Sequence, residues 1–433
     1  MEQLGTYGLI IGGSLVLILS FLFSELARRT NIPSVLMLIV LGVALKFGFD
    51  AFGLAGIDFT FALGLLGIVG LIMIVLEAAL ELQLSRDKLL PIGKAFLIAA
   101  VGLIASTYVA AEILKYFIDG LSNESALLYA TALSILSSAI IIPSVGGLRS
   151  DKKEFHIYES TFSDILGIIV FYFLAGPFEA LETGGHAPSA GGYLGIIVLT
   201  VILAIVASYV LILIFQQLRS HVKLFLLIAV LLLLYAVGKK YHLSSLIIIL
   251  VFGLMFANIN LAFSFQPFKG WLKPKKVHEI FEGLHVVTLE TAFVVRTFFF
   301  VIFGLTIDPT SLFSAEVAGI SALIIASIYL IRFVLLRVFV GRDLFPQLFV
   351  APRGLITVLL YSAIPATARY EGFQPGILLF VIIGTSLIMT FAMIRDKKRA
   401  GASIRQAEAL PVDLVAWQAP SLHAVAVAEE HAH

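Results

Sequence analysis

Apolar residues along this chain come in long blocks separated by short polar punctuation, not in the narrow stripe that a surface helix shows. A helix that crosses a bilayer needs roughly 20 mostly apolar residues. Blocks of that kind recur about thirteen times, over 7–27, 33–48, 61–82, 93–116, 125–147, 157–180, 192–217, 223–238, 244–263, 286–307, 315–338, 347–367 and 376–395. Between them stand turn and charge signals such as Asn31-Ile32-Pro33, Asp87-Lys88, Asp151-Lys152-Lys153, Gly184-Gly185, Lys239-Lys240, Lys273-Pro274-Lys275-Lys276, Asp308-Pro309 and Gly341-Arg342-Asp343. The pattern predicts an all-α polytopic membrane protein of about thirteen transmembrane helices, spanning 1–399. The first block, Tyr7 to Phe23, lacks a basic leader and a small-residue cleavage site, so it reads as a retained helix.

Composition agrees. The chain has 433 residues, 60% hydrophobic and 13% charged, with a mean hydropathy of +1.04. Soluble domains run near 45–50% apolar and about 25% charged, so this surplus needs lipid as its solvent. A net charge of +1 gives no sign of a nucleic-acid partner. The absence of cysteine excludes a disulfide framework, a thiolate metal site and a cysteine nucleophile.

Alternating the helices from side to side sorts the basic residues. One side receives Arg28, Arg29, Arg86, Lys88, Lys94, Arg149, Lys152, Lys153, Arg219, Lys223, Lys269, Lys273, Lys275, Lys276, Arg337, Arg342, Arg395, Lys397 to Arg399 and Arg405. The other receives only Lys46, Lys115, Lys239, Lys240 and Arg369. Basic loops stay cytoplasmic, which predicts an N-terminus outside and a C-terminus in the cytoplasm; the expected location is a bacterial inner (plasma) membrane. The segment 400–433 is rich in Ala, Glu, Gln and His, and reads as a flexible cytoplasmic tail.

Two helices look broken. The fifth block holds Ser137-Ser138-Ala139-Ile140-Ile141-Ile142-Pro143-Ser144, and Pro143 removes a backbone donor. The twelfth holds Pro352-Arg353-Gly354. The two lie seven blocks apart, an odd offset that reverses direction across the membrane. Helices 1–6 and 8–13 are therefore expected to be inverted repeats, with helix 7 as linker and the two broken helices crossing. Proline and glycine merely kink many membrane helices, but interruptions at matching places in two halves are the sequence mark of a transporter's ion site.

Ionisable groups inside a bilayer cost about 2.5–3.5 kcal/mol each by insertion scales, and those that remain carry function or pair with one another. Glu159 and Asp164 in the sixth block are five residues apart, about 140° around a helix, so they need different partners. Arg332, buried in the eleventh, is the expected partner of Glu159. That leaves Asp164 as the carrier, with Ser160, Ser163 and backbone around Ile141 as further oxygen ligands for a hard cation such as sodium. A carboxylate out of water can hold a proton instead, and competition between the two for one group is enough to couple them. Glu77 and Glu81 share one face of the third block; Glu81 is expected to be solvated beside Arg86, while Glu77 and Arg353 read as core or cavity charges. Glu290 and Arg296 in the tenth do not face one another, so each needs a partner elsewhere. No enzyme motif is present: His278-Glu279 opens like a zinc motif, but the next histidine, His285, has the wrong spacing.

These motifs resemble the monovalent cation–proton antiporter superfamily, of sodium/proton exchanger type. That family carries Glu-Ser-x-x-Asn-Asp on its sixth helix, and Glu159-Ser160-Thr161-Phe162-Ser163-Asp164 matches except at Ser163. Its buried arginine on the eleventh helix looks like Arg332, and its Leu-Arg-Gly-Ala segment like Pro352-Arg353-Gly354-Leu355. Its Phe-Glu-x-Gly-Leu-Glu-Leu segment looks like Leu76 to Leu82. FFFVIFGLTID, Phe298 to Asp308, is similar to its tenth helix. The fifth helix departs from the family: Thr-Asp-Pro is replaced by Ile141-Ile142-Pro143, with Ser137, Ser138 or Ser144 left to compensate. The resemblance implies a homodimer whose core bundle of six helices moves elevator-like past a scaffold, exchanging sodium for protons without any cofactor; with one free carboxylate, one proton is expected to exchange for one sodium, electroneutrally. A potassium/proton antiporter, or a cation channel or sensor on the same scaffold, is the alternative.

Overall fold

The computed structural model describes residues 5–30, 34–51, 60–82, 84, 88–182, 190–218, 223–241, 245–259, 274–306 and 314–409. Helices cover each of the apolar blocks: α1 (Gly5–Thr30), α2 (Ser34–Ala51), α3 (Thr60–Glu81), α4 (Leu89–Phe117), α5 (Asn123–Ser134), α6 (Ser138–Ser144), α7 (Ser150–Glu182), α8 (Ala190–Phe215), α9 (Lys223–Lys240), α10 (Ser245–Ala257), α11 (Pro274–Thr306), α12 (Ala315–Phe339), α13 (Leu355–Ser362) and α14 (Gly376–Ala409). Among the described residues, seven helices are long and apolar enough to cross a membrane by length and composition; α1, α2 and α10 have shorter apolar stretches. Large side chains such as Phe21, Phe225, Leu330, Val338 and Phe391 stand exposed along these helices, a surface suited to hydrocarbon.

Several boundaries differ from expectation for a physical reason. The helix α11 starts at Pro274, within the expected break Lys273–Lys276. Proline has no N–H to lose at a first helical position, so it opens a helix as readily as it ends one. The polar turn Asp151-Lys152-Lys153 likewise forms the start of α7. At the far end α14 runs on to Ala409, into the segment expected to be a tail; 410–433 lie outside the described residues.

The first broken helix needs a correction. Pro143 lies inside α6, and the chain unwinds earlier, at Ile135, Leu136 and Ser137. A proline withdraws one donor; what permits a break is a partner for every group it releases. Leu136 N–H donates to Ser163 Oγ on α7 at 3.0 Å, and Ser137 N–H donates to the Pro352 carbonyl at 3.0 Å. Ile135-Leu136-Ser137, not Ile141-Ile142, therefore form the interruption, and Ser138 opens α6. The second break does lie where the sequence puts it. A short 3-10 turn at Gln347–Phe349 gives way to irregular backbone, and Gly354 precedes α13. The two interruptions touch. A Cβ on Gly354 would fall 2.6 Å from Ser137 Oγ and 2.8 Å from Ile140 Cδ1, so glycine leaves the room that the Ser137 and Ile140 side chains occupy.

Packing sorts the helices into two blocks. The first joins α1, α2, α3, α8, α9, α10 and α11; the second joins α4 to α7 with α12, α13 and α14. Within the first, α2 and α11 cross at Gly42 and Gly304, where an added Cβ would lie 2.2 Å from Val301 O and 2.4 Å from Ile39 O respectively. Small residues at a crossing are how membrane helices gain dispersion contact. Between the blocks the main contacts are α3 with α7 and α13, and α10 with α7.

Candidate ion site

Two long-range ion pairs hold the interior charges. Arg332 on α12 donates from Nη1 to Glu159 Oε1 at 2.6 Å and from Nη2 to Glu159 Oε2 at 2.8 Å, with the side chains 7% and 1% exposed. Its Nε and Nη2 also reach the Gln347 carbonyl, at 3.2 and 3.0 Å. That parallel fork is the strong geometry for arginine and carboxylate, and it ties α7 to α12 and to the second break. Arg296 on α11 donates from Nη2 to both oxygens of Glu77 on α3, at 3.0 and 2.8 Å. Arg296 is the partner that local reading of the sequence did not supply for Glu77, because the two are 219 residues apart. Each pair lies within one block.

Asp164 is different. It is fully buried on α7, and neither carboxylate oxygen makes a hydrogen bond of normal geometry. Ser138 at the start of α6 presents its hydroxyl and backbone N–H toward it, and the charges that act on it are Glu77 and Glu81 of α3. Those belong to the other block, whose α3 packs on α7, so Asp164 lies near the seam. Glu81 is half-buried there; Arg86 lies outside the described residues.

The serines have other engagements. Ser160 Oγ donates to the His156 carbonyl at 2.7 Å. Ser163 Oγ accepts from Leu136 N–H. The Ile141 carbonyl accepts the N–H of Val145, and Ser144 Oγ donates to Ile140 O at 2.7 Å. Ser163 thus pins the first break to α7, and Ser138 is the hydroxyl brought to the carboxylate. Arg353, 2% exposed, donates from Nε to the Leu133 carbonyl at 3.0 Å and from Nη1 to the Ala351 carbonyl at 2.9 Å. It clamps the end of α5 to the second break and does not clamp Asp164. His156, also missed, is fully buried one turn before Glu159, with Nδ1 3.4 Å from Glu159 Oε2. A histidine one turn from an acid on the same helix was the available signal.

Chemically, among the described residues the interior holds two neutralised charge pairs, the Arg353 guanidinium on backbone carbonyls, one carboxylate with no counter-charge bonded to it, and hydroxyl and backbone groups of an unwound stretch beside it. That carboxylate suits a proton or a small hard cation. Among the described residues no group of three or more His, Cys, Asp or Glu is arranged to hold a metal ion.

Comparison with known proteins adds to this geometry. Residues 15–394 match the family described as "Sodium/hydrogen exchanger, transmembrane". No curated protein matches the chain. Among solved structures it is similar to the sodium proton antiporter MjNhaP1 from Methanocaldococcus jannaschii at pH 8, with a TM-score of 0.64 and 19% identity, covering 91% of this chain and 99% of that one. A second structure of MjNhaP1, from an electron-microscopy map, is similar with a TM-score of 0.59 and 19% identity, covering 93% and 97%.

Proposed function

The chain belongs to the sodium/hydrogen exchanger family, and from that premise we propose that it exchanges sodium ions for protons, one for one, at Asp164. The observation that carries this reading is the contrast among buried acids. Glu159 and Glu77 are held by arginines, while Asp164 is fully buried and, among the described residues, has no ion pair and no hydrogen bond of normal geometry.

A carboxylate so placed cannot stay charged and empty in a low-dielectric interior without a large cost. It is neutralised by a proton or by sodium, and each excludes the other. Sodium would take one carboxylate oxygen, the Ser138 hydroxyl and carbonyls of the unwound stretch; Ser160, Ser163 and Ile141 are further oxygen sources should their present bonds open. Either cargo leaves the site neutral, so the exchange moves no net charge. Glu159–Arg332 keeps α7 and α12 together in both states.

The two-block packing supports an elevator-type cycle. In it the block of α4–α7, α12, α13 and α14 carries Asp164 along the seam past the block of α1–α3 and α8–α11. Sequence support for the rest of the architecture is the matched pair of interruptions, read as inverted repeats with crossed broken helices, and about thirteen spans between an outer N-terminus and a cytoplasmic C-terminus. A homodimer in a bacterial inner membrane completes the reading.

The test uses purified protein in liposomes with a pH-sensitive dye. Sodium should drive proton movement with a rate unaffected by an imposed voltage. Asp164→Asn should abolish it, while the folded protein keeps its elution profile. Exchange retained by Asp164→Asn moves the ion site elsewhere, and voltage-dependent exchange overturns the one-for-one ratio. The same assay with lithium and potassium ranks the cations.

A further inference from the structure

Arg353 carries a positive charge that the exchange reading does not use. Among the described residues it forms no ion pair: the acceptors of its side chain are the Leu133 and Ala351 carbonyls, and its backbone N–H is taken by Thr385 Oγ1 at 3.0 Å. Leu133 lies in the last turn of α5, and a helix C-terminus supplies the equivalent of about half a negative charge. The rest is uncompensated. The neighbouring carboxylate, Glu159, is already forked by Arg332, and Asp164 lies about 140° around α7 from it, beside Ser138.

Beside Arg353 lies a cavity of about 30 Å³. It sits between α4, α7 and α12, with the end of α5 and the second break as its floor. Ser106, Ser134, Glu159, Ser163, Arg332 and Arg353 give it its polar lining. The Ser134 hydroxyl is buried and, among the described residues, has no hydrogen-bond partner. Two guanidinium groups against one carboxylate leave the lining one charge positive, so a cation is repelled and an anion is drawn in. A space of this order holds a particle of about the size of water with room to spare, which suits a small anion.

We propose that this cavity binds one small monovalent anion, chloride or a halide of similar size, against Arg353 and Ser134. The anion completes the neutralisation of the helix bundle that carries Asp164. Its site is centred on Arg353 and Ser134 and not on Asp164, and stands independently of which cation is exchanged.

Two binding measurements on the whole purified protein test this without relying on transport. Melting temperature should rise saturably as chloride replaces gluconate at constant ionic strength, because a ligand of the folded state alone stabilises it. Diffraction from crystals grown in bromide should show anomalous density in the cavity beside the Arg353 guanidinium. Arg353→Lys and, should that variant fold poorly, Ser134→Ala should each raise the half-saturating chloride several-fold. Equal melting in chloride and gluconate, bromide density only at surface lysines, or an unchanged chloride response in a folded variant would each overturn the proposal.

Discussion

At the scale of single residues, the interior is governed by what each buried charge can find. Arg332 and Glu159 make a complete fork, so removing one partner strands the other in an apolar interior. Glu159→Gln should lower stability by about 3–5 kcal/mol, read as a fall in melting temperature in detergent. Replacing both partners with leucine and methionine should recover most of the loss, since it strands no charge. The sequence made Asp164 and this pair legible because each was an ionisable group in an apolar block with no local partner. It did not reveal the partnership of Glu77 and Arg296, because nothing in either helix marks the face that meets the other. Nor did it show that Ser160 and Ser163 have backbone partners while Ser138 turns to the carboxylate. Those assignments depend on where α6 begins, which is decided by residues far away in the chain.

At the scale of helices, small residues decide which elements can touch. Gly42 and Gly304 bring the α2 and α11 backbones together closely enough that a methyl group has no room. Gly304→Ala should therefore push the helices apart and cost about 1–3 kcal/mol as an overpacked contact, measured by thermal unfolding. Gly195→Ala, where an added Cβ meets nothing within 4 Å, should be neutral. The helices themselves were readable from block length, because lipid enforces roughly 20 apolar residues per crossing. The position of the first break was not. Pro143 looked decisive by local rules, yet the chain unwinds at Ile135 to Ser137, where Ser163 and Pro352 accept the released N–H groups. A break in a membrane helix is fixed by its acceptors, and these came from α7 and from a segment some two hundred residues later in the chain.

At the scale of the whole molecule, the buried ion pairs sit inside the two blocks and Asp164 lies near the seam between them. If the blocks slide, a tether across the seam should stop exchange and a tether within a block should not. The chain has no cysteine, so introduced thiols react without background. A Cβ on Gly67 of α3 would lie 3.8 Å from Leu359 Cδ2 of α13, which makes Gly67→Cys with Leu359→Cys the seam pair. Ser20 and Thr297 of α1 and α11, whose hydroxyl oxygens are 2.6 Å apart, give the control within one block. A short thiol cross-linker should reduce sodium–proton exchange in liposomes several-fold in the first double variant and leave the second near its uncross-linked rate. Equal activity in both would argue for a fixed frame with local gating.

The bond from Ser137 to Pro352 has a consequence for how this protein can change over generations. Each interruption supplies the other's missing partner, and Gly354 is the spacer that lets them meet. Neither can drift alone: a bulkier side chain at one is tolerated only with a compensating retreat at the other. Across descendants of this chain the two segments are bound to be inherited as a matched set, although they are distant in the gene and were built from separate halves of the polypeptide.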